Sequence, residues 1–290
     1  MAVCFETGFH VERLLKSNRA SQHKRIMIRF ILLLAMLLSS LASPVQGAQQ
    51  LVLGVLAYRP KPVMEQAWRP LAESLAAALP DTALTLRILD STEFTQALRK
   101  DELDVVFTNP THFIALRSEN VLSGVLATVV TMHQGRPKST LGGVIIVRSE
   151  RTELTTLADL RDKRVATPNR NFLGGYIAQA YELLEAGIGP DQIKLDSGSN
   201  LHDAVVDAVL KGEVDAGFIR TGVLEQLTQE GRIDPSRLRV LNEQHHPDFP
   251  YAVSTRLYPE WPVVALPHVE EKLARRIAAQ LLSLEPSDPV

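Results

Sequence analysis

The turn Thr108–His112 carries side chains that hydrogen-bond to anions, and it directly follows a predicted strand, Asp104–Thr108. In an open α/β sheet, ligands bind beyond the carboxyl ends of the strands. Thr108 and Asn109 offer hydrogen bonds there, and His112 offers a donor or a partial positive charge. The same residues are typical of an Asn-Pro turn whose side chain caps the following helix. Alone, this turn favours the capping role and leaves a binding role open.

A glycine pair, Gly174-Gly175, opens the predicted helix Leu173–Ala186, with Tyr176 next in the chain. The first amides of a helix lack backbone partners and lie at the positive end of its dipole, so glycines there let an anion approach closely. A tight turn or close packing would need the same glycines. The pair is not a P-loop, because no Gly-Lys-Ser/Thr follows it.

Arg220 and Thr221 end another predicted strand, Ala216–Ile219. A guanidinium at the carboxyl end of a strand is well placed to bind an oxyanion through two parallel hydrogen bonds. The alternative is a surface ion pair with Asp215 or Glu225.

Tyr58 and Arg59 similarly follow the first predicted strand, Leu51–Ala57, and an ordinary loop would explain them equally. Each of these four signals is weak alone. Together they place anion-compatible groups after several strands, which predicts a site for a small anionic ligand.

Enzyme signatures are missing from the sequence. His245-His246 is the obvious metal candidate, but adjacent side chains on an extended chain point to opposite faces, and no further ligand stands at a suitable spacing. There is no Gly-x-Ser-x-Gly elbow, no pair of carboxylates that stands out, and no cofactor motif. Trp68 and Trp261 suit core packing better than a ligand platform. We therefore expect no enzyme activity, no metal and no cofactor.

Strand and helix patterns alternate from residue 51 onward, which predicts an α/β fold with mostly parallel sheets and helices on both faces. The predicted strands are Leu51–Ala57, Leu84–Leu89, Asp104–Thr108, Val121–Met132, Leu141–Val147, Arg164–Ala166, Gln192–Leu195, Ala216–Ile219 and Leu238–Leu241. The predicted helices are Val63–Leu79, Glu93–Lys100, Pro110–Arg117, Leu157–Leu160, Leu173–Ala186, Leu201–Leu210, Gly222–Glu230 and His268–Leu284.

The two runs of β-α units are similar in layout, which predicts two doubly wound lobes joined by a hinge of two chain crossings. The first lobe is 48–140, the second is 141–241, and 242–290 returns to the first lobe and ends in a helix. A cleft between hinged lobes is a common ligand site. One continuous doubly wound domain is the alternative.

The N-terminus has the parts of a signal peptide: basic residues before the short apolar run Phe30–Leu38, then small residues up to Gly47. Cleavage after Gly47 places Val45 at position −3. A membrane anchor is the alternative, but the run is about half of the ~20 residues that span a bilayer. The polar segment 1–26 precedes a more typical start at Met27, so we expect translation to begin there.

Removing residues 1–47 takes away six basic and two acidic residues, which changes the net charge from −2 to −6. It also removes Cys4, the single cysteine, so no disulfide is expected. A mildly acidic body argues against nucleic acid as a partner. No later segment is apolar enough to cross a membrane, and we expect a monomer.

Five runs of residues resemble the periplasmic phosphate/phosphite/phosphonate-binding proteins of ABC transporters. They are Leu53–Ala57, Trp68–Ala72, Asp104–Pro110, Gly174–Tyr176 and Val214–Phe218. The resemblance covers about residues 50–285. It implies the type II bilobal fold, a periplasmic location, an ABC permease as partner and capture of a phosphate- or phosphonate-like or sulfur oxyanion. By position it places Tyr58, Asn109, His112, Gly175, Tyr176 and Arg220 at the ligand.

Within that family the chain is most similar to the branch that forms the sensing portions of histidine kinases, tetrathionate sensors among them. The runs Phe218–Glu225 and Phe249–Pro262 carry this likeness. It implies the alternative of a sensing protein with a histidine kinase as partner, either separately encoded or a truncated portion. Where phosphonate binders usually have a Ser/Thr-rich turn, this chain has Asn169–Leu173. That departure argues against a phosphonate and opens the site to a larger or softer oxyanion.

Overall fold

The computed structural model describes residues 49–119, 124–133, 136–285 and 288. The predicted leader, its cleavage after Gly47 and the predicted start at Met27 lie outside the described residues. In the part of the chain that is described, no helix is both long and apolar enough to cross a membrane.

Strands and helices alternate over most of the described chain. The strands are β1 (Gln49–Leu56), β2 (Thr82–Leu89), β3 (Val105–Phe107), β4 (Gly124–Thr128), β5 (Thr131–His133), β6 (Arg136–Lys138), β7 (Thr140–Leu141), β8 (Gly143–Arg148), β9 (Arg164–Ala166), β10 (Lys194–Asp196), β11 (Ala216–Arg220), β12 (Leu238–Leu241), β13 (Tyr258–Pro259) and β14 (Pro262–Ala265). The α-helices are α1 (Lys61–Ala78), α2 (Ser91–Arg99), α3 (Pro110–Glu119), α4 (Ala178–Glu185), α5 (His202–Lys211), α6 (Val223–Gln229) and α7 (Glu271–Leu282).

The first lobe is built on a five-stranded sheet with the order β2-β1-β3-β14-β4. Strand β1 pairs in parallel with β2 and β3, and β14 pairs antiparallel with β3 and β4. Strand β3 is buried at every residue, which explains why Val105–Phe107 is a continuous apolar run. The helix pattern at the C-terminus also belongs to this lobe, since α7 packs against α1 and β4.

The second lobe is built on another five-stranded sheet, with the order β10-β9-β11-β8-β12. Strand β9 pairs in parallel with β10 and β11, and β8 runs antiparallel to β11 and β12. Helix α5 ends where Gly212 adopts a left-handed conformation with φ 76°, as glycine readily does at the end of a helix.

The two chain crossings between the lobes pair with each other. Strands β7 and β13 form a short antiparallel ladder, in which Tyr258 lies opposite Leu141 and Pro259 lies opposite Thr140. The predicted hinge of two crossings is therefore a two-stranded ribbon. After the second crossing, β14 enters the first sheet between β3 and β4.

Three details differ from the predicted elements. The sheets are mixed rather than mostly parallel, because β14 and β8 enter their sheets from the hinge and run opposite to the strands that end at the cleft. The predicted strand Val121–Met132 is interrupted: β4 belongs to the first sheet, whereas β5 forms a hairpin with β6. The predicted helix Leu173–Ala186 begins with a π-helical turn, Leu173–Ile177, before α4.

The core of the first lobe extends into the second. Its buried cluster is centred on β1, β3 and β14, and it also includes Leu141, Phe172 and Leu173. Phe172 and Leu173 precede α4 of the second lobe, so apolar side chains from both lobes share one buried cluster. The second lobe has two further clusters, one on each face of its sheet.

Candidate ligand site between the lobes

The strand ends that sequence analysis singled out face one another across the lobes. Val55 lies opposite Phe107 in the parallel pair β1–β3, so the turns that carry Tyr58 and Asn109 share one edge of the first sheet. In the second sheet, Arg220 ends β11. The backbone N–H of His202 donates to the carbonyl oxygen of Tyr58 at 3.1 Å, which joins the two lobes at this edge.

Arg220 lies in an aromatic and acidic environment. Its guanidinium carbon is 4.9 Å from the ring centroid of Tyr58 and 5.4 Å from that of Trp261, and the two rings meet edge to face at 5.2 Å. Such contacts stabilise a desolvated guanidinium. Arg220 also donates to Glu260 at 2.7 Å, and both residues are buried. The expected alternative, a surface ion pair of Arg220 with Asp215 or Glu225, is wrong, because Arg220 is buried and pairs with Glu260.

Asn109 caps a helix and also presents an unused donor. Its Oδ1 accepts from the backbone N–H of His112 at 3.1 Å and lies 2.6 Å from the Thr111 hydroxyl, which is the capping role that the sequence favoured. Asn109 is 1% exposed, and among the described residues its Nδ2 has no hydrogen-bond partner. Leaving a buried polar group unsatisfied costs about 1–3 kcal/mol. An oxygen atom of a ligand or a water beside Asn109 would satisfy this donor.

Thr108 and His112 form a pair behind this turn. The Thr108 hydroxyl lies 2.7 Å from His112 Nδ1, and the His112 ring packs against Phe94 with 5.3 Å between centroids. The ring also lines a cavity of about 680 Å³ between α2, α3 and the segment after β14. Thr108 is fully buried. Both residues therefore support the turn, and Arg220 is not among the residues that line this cavity.

The glycine pair allows the start of the π-helical turn to approach β11. A methyl group on Gly174 would lie 2.8 Å from Cβ of Arg220, and one on Gly175 would lie 2.7 Å from Cγ of Pro168. Close packing, the alternative that the sequence left open, thus accounts for both glycines. The same closeness brings the first amides of the helix beside Arg220.

Tyr176 and Thr221 have mainly structural contacts. The Tyr176 ring faces Phe218 at 6.5 Å in a core cluster of the second lobe. The buried Thr221 hydroxyl accepts from the backbone N–H of Gly142 at 3.1 Å, at the point where the first crossing enters the second lobe. Among the nine predicted site residues, the contacts of Tyr176 and Thr221 are thus explained by packing and by a backbone hydrogen bond.

Arg59, for which the sequence left open an anion-binding role and an ordinary loop, is a buried contact between the lobes. Its guanidinium donates to both carboxylate oxygens of Asp203, at 3.0 and 3.1 Å, and to both of Glu230, at 2.6 and 2.8 Å. Arg232 also pairs with Asp203. The side chains of Arg59 and Asp203 are each only 4% exposed. We call these four residues the interlobe ion cluster.

The interlobe ion cluster keeps its carboxylates ionised. Burial alone would raise the pKa of Asp203, but hydrogen bonds from Arg59 and Arg232 outweigh it and hold that pKa below its ordinary value. The hydrogen bond from Arg59 likewise lowers the pKa of Glu230. The same partners raise the pKa of Arg59, chiefly through the hydrogen bond to Glu230.

His202 is a buried neutral group beside Arg220. Burial, followed by the positive charge of Arg220, lowers the pKa of His202 to about 3. Its Nδ1 accepts from the backbone N–H of Arg220 at 3.2 Å, so the neutral ring carries its proton on Nε2. No sequence signal had singled out His202 or Asp203, because their partners lie far away in the chain.

The turn before the π-helical segment contacts the first lobe through polar groups. Asn169 Nδ2 donates to Asn200 Oδ1 at 2.9 Å, and the Ser91 hydroxyl from the first lobe donates to the same oxygen at 3.0 Å. The Thr111 hydroxyl lies 2.6 Å from the carbonyl oxygen of Asn171. Residues that depart from a Ser/Thr-rich turn here thus serve contacts between the lobes.

No metal-binding group of three or more His, Cys, Asp or Glu residues occurs among the described residues. His246 Nε2 lies 3.2 Å from the carbonyl oxygen of Thr255, so that ring is used in a loop contact.

A family model supplies the identity of the fold. The model described as "ABC transporter, phosphonate, periplasmic substrate-binding protein" matches residues 53–289, more than four fifths of the chain. The chain belongs to this family. Membership implies a periplasmic location, and it places the chain among solute-binding proteins rather than enzymes.

A curated relative is the tetrathionate sensor histidine kinase TtrS of Salmonella typhimurium, which is 30% identical over 232 residues. That match covers 80% of this chain and 39% of the relative. This chain therefore spans about two fifths of the relative's length.

Two solved structures are similar in fold. PhnD1 from Prochlorococcus marinus in complex with methylphosphonate has a TM-score of 0.65 at 19% identity, covering 82% of this chain and 85% of that one. A binding protein component of an ABC phosphonate transporter from Pseudomonas aeruginosa has a TM-score of 0.62 at 15% identity, covering 80% and 73%. The predicted type II bilobal fold is confirmed.

Proposed function

We propose that this protein captures a small oxyanion between its lobes and delivers it to an ABC permease. The observation that carries the proposal is the buried Nδ2 of Asn109 at the end of β3, which has no hydrogen-bond partner among the described residues. Arg220 contacts Trp261, whose ring lies 5.0 Å from the ring of Phe107, two residues before Asn109 in the chain. A guanidinium and a neutral amide donor together suit an oxyanion.

The charge balance of the site favours an anion of low charge density. Glu260 already neutralises Arg220, and His202 is neutral. Tyr58 and Trp261 add aromatic surface beside the guanidinium. Phosphonates and sulfur oxyanions with an apolar or soft body fit these surroundings, and we place Tyr58, Gly174, Gly175, Asn109 and Arg220 at the ligand.

Capture follows from closure of the hinge. The ligand's donors come from both lobes, so only the closed arrangement satisfies the anion from both sides. A ligand that binds the closed state better shifts the population toward it. The interlobe ion cluster stabilises the same arrangement without touching the ligand.

Ligand sensing for a histidine kinase is the second candidate. It is favoured by the 30% identity to a tetrathionate sensor kinase over 80% of this chain. A permease gene beside the coding gene would favour transport, and a response-regulator gene would favour sensing.

The remaining features of the proposal are those expected from the sequence. The leader is cleaved after Gly47, the lobes are 48–140 and 141–241 with 242–290 returning to the first, and the mature protein is a monomer without enzyme activity.

A thermal-shift panel tests the proposed function. It compares phosphate, phosphite, methylphosphonate, sulfate, an alkanesulfonate, thiosulfate and tetrathionate, because a ligand that binds only the native state raises the melting temperature. We expect at least one of these oxyanions to raise it in a concentration-dependent manner. Chloride at the same ionic strength is the control, and equal shifts with chloride would contradict oxyanion capture.

A further inference from the structure

Gln179 is a buried amide that binds backbone carbonyl groups around the candidate site. It lies in the first turn of α4 and is fully buried. Its Nε2 is 2.8 Å from the carbonyl oxygen of Gly174, 2.9 Å from that of Ile219 and 3.4 Å from that of Val144. Three carbonyl oxygens require the NH2 group at that end, since an amide oxygen would be repelled by all of them.

The other end of this amide is unsatisfied. Among the described residues, Gln179 Oε1 has no hydrogen-bond partner. Such a buried acceptor costs about 1–3 kcal/mol, which an apolar side chain of the same size would avoid. The hydrogen bonds that its NH2 group donates to three carbonyl oxygens therefore explain why a glutamine stands at this position.

The carbonyls that Gln179 binds belong to peptide groups that lead into the site. The Ile219 carbonyl shares its peptide with the N–H of Arg220, which donates to His202 Nδ1. The Gly174 carbonyl shares its peptide with the N–H of Gly175. In a trans peptide the C=O and N–H point in opposite directions, so holding the two carbonyls fixes the direction of the two N–H groups.

Gly143 provides the space for this arrangement. A methyl group on Gly143 would lie 2.4 Å from Cδ and 2.5 Å from Nε2 of Gln179. Gly143 begins β8, directly after the first chain crossing. Any side chain there would displace the amide from its three carbonyls.

We propose that Gln179 is the positioning residue of the candidate site. It joins the π-helical turn to β11 and β8, and so sets the position of the Gly175 N–H relative to Arg220 without touching the ligand. The ligand part of this inference rests on the proposed function, whereas the positioning part does not.

The test compares Gln179→Met with Ser254→Ala. Methionine keeps the volume and removes the donors. Ser254 is a matched control because it is also fully buried in the second lobe and its hydroxyl binds backbone groups of Ile145 and Leu241. Gly143→Ala is a second route to displacing the amide, should Gln179→Met fail to fold.

Two measurements separate positioning from ligand binding. The first is amide hydrogen exchange of Arg220 and Gly175 by NMR without added ligand, and the second is calorimetric titration with methylphosphonate and with tetrathionate. We expect Gln179→Met to speed exchange at both amides at least tenfold and to weaken binding of whichever anion binds at least tenfold. Ser254→Ala is expected to change neither, although it lowers the melting temperature.

The inference would be overturned if the amides of Arg220 and Gly175 exchanged at wild-type rates in both Gln179→Met and Gly143→Ala. It would also be overturned if a folded Gln179→Met bound the anion with wild-type affinity. If neither anion binds the wild-type protein, the proposed function fails for these two anions. The exchange result then still supports or overturns the positioning role.

Discussion

Replacing Arg59 by methionine is expected to open the lobes rather than to unfold either of them. The guanidinium makes four carboxylate contacts, all to residues of the other lobe, and the variant leaves Asp203 with Arg232 as its remaining cation. Removing one partner of a buried ion pair costs about 3–5 kcal/mol. Because the Glu230 side chain is 36% exposed, we expect the lower end of that range.

A loss of about 3 kcal/mol is roughly a hundredfold change in an equilibrium constant. The closed population should fall accordingly, and any ligand that needs the closed state should bind more weakly by up to the same factor.

The assay is small-angle X-ray scattering together with tryptophan fluorescence in a Trp68→Phe background, which leaves Trp261 between Tyr58 and Phe107 as the emitting residue. We expect a larger radius of gyration and altered fluorescence in Arg59→Met. Arg151→Met is the matched control, since Arg151 pairs with Glu153 and Asp215 inside the second lobe. Equal scattering in the wild type and Arg59→Met, with a lower melting temperature in the variant, would refute a role of the interlobe ion cluster in closure.

Three further predictions concern the residues around Arg220. Burial lowers the pKa of His202 to about 3, so the unfolded chain takes up a proton first as the pH falls below about 6.5. Chemical denaturation should then show the free energy of unfolding falling by up to about 1.4 kcal/mol for each pH unit lowered between pH 6 and 4. His202→Asn should lack the part of this fall that comes from His202. Identical dependence of the free energy of unfolding on pH in the wild type and the variant would contradict the prediction. Arg220→Met leaves Glu260 buried without its cation and should lower the free energy of unfolding by about 3 kcal/mol, whereas adding Glu260→Gln should restore most of that stability but not ligand affinity. Gly174→Ala should weaken ligand binding at least tenfold, because its methyl group would lie 2.8 Å from Cβ of Arg220. Gly198→Ala is the control and should not weaken binding, because its methyl group would lie 3.7 Å from Oδ1 of Asp196. Equal affinities of Gly174→Ala and the wild type by calorimetry would contradict this prediction.

The sequence predicted several individual strands well because their signals are local. The predicted strand Asp104–Thr108 contains β3, and the predicted strand Leu238–Leu241 is β12 with the same limits. The predicted strand Val121–Met132 failed in part because the apolar pattern continues from β4 into a separate hairpin. Periodicity shows where a strand pattern runs, but it does not show with which sheet each part pairs.

The candidate site was predictable only where a side chain follows directly on a strand. Asn109 and Arg220 were predicted in this way, and their place at a ligand stays a prediction. Arg59 and Asp203 are 144 residues apart, and neither position has a local pattern that indicates the other. Gln179 is one of many helical polar residues in sequence, and only packing against Gly143 distinguishes it.

The most direct test of oxyanion capture is a crystal structure with the anion that raises the melting temperature most. We predict an anion oxygen within hydrogen-bond distance of Asn109 Nδ2, of roughly 2.7–3.2 Å, with the Arg220 guanidinium beside the same anion. An anion bound outside the cleft, for example in the cavity lined by His112, would contradict the account.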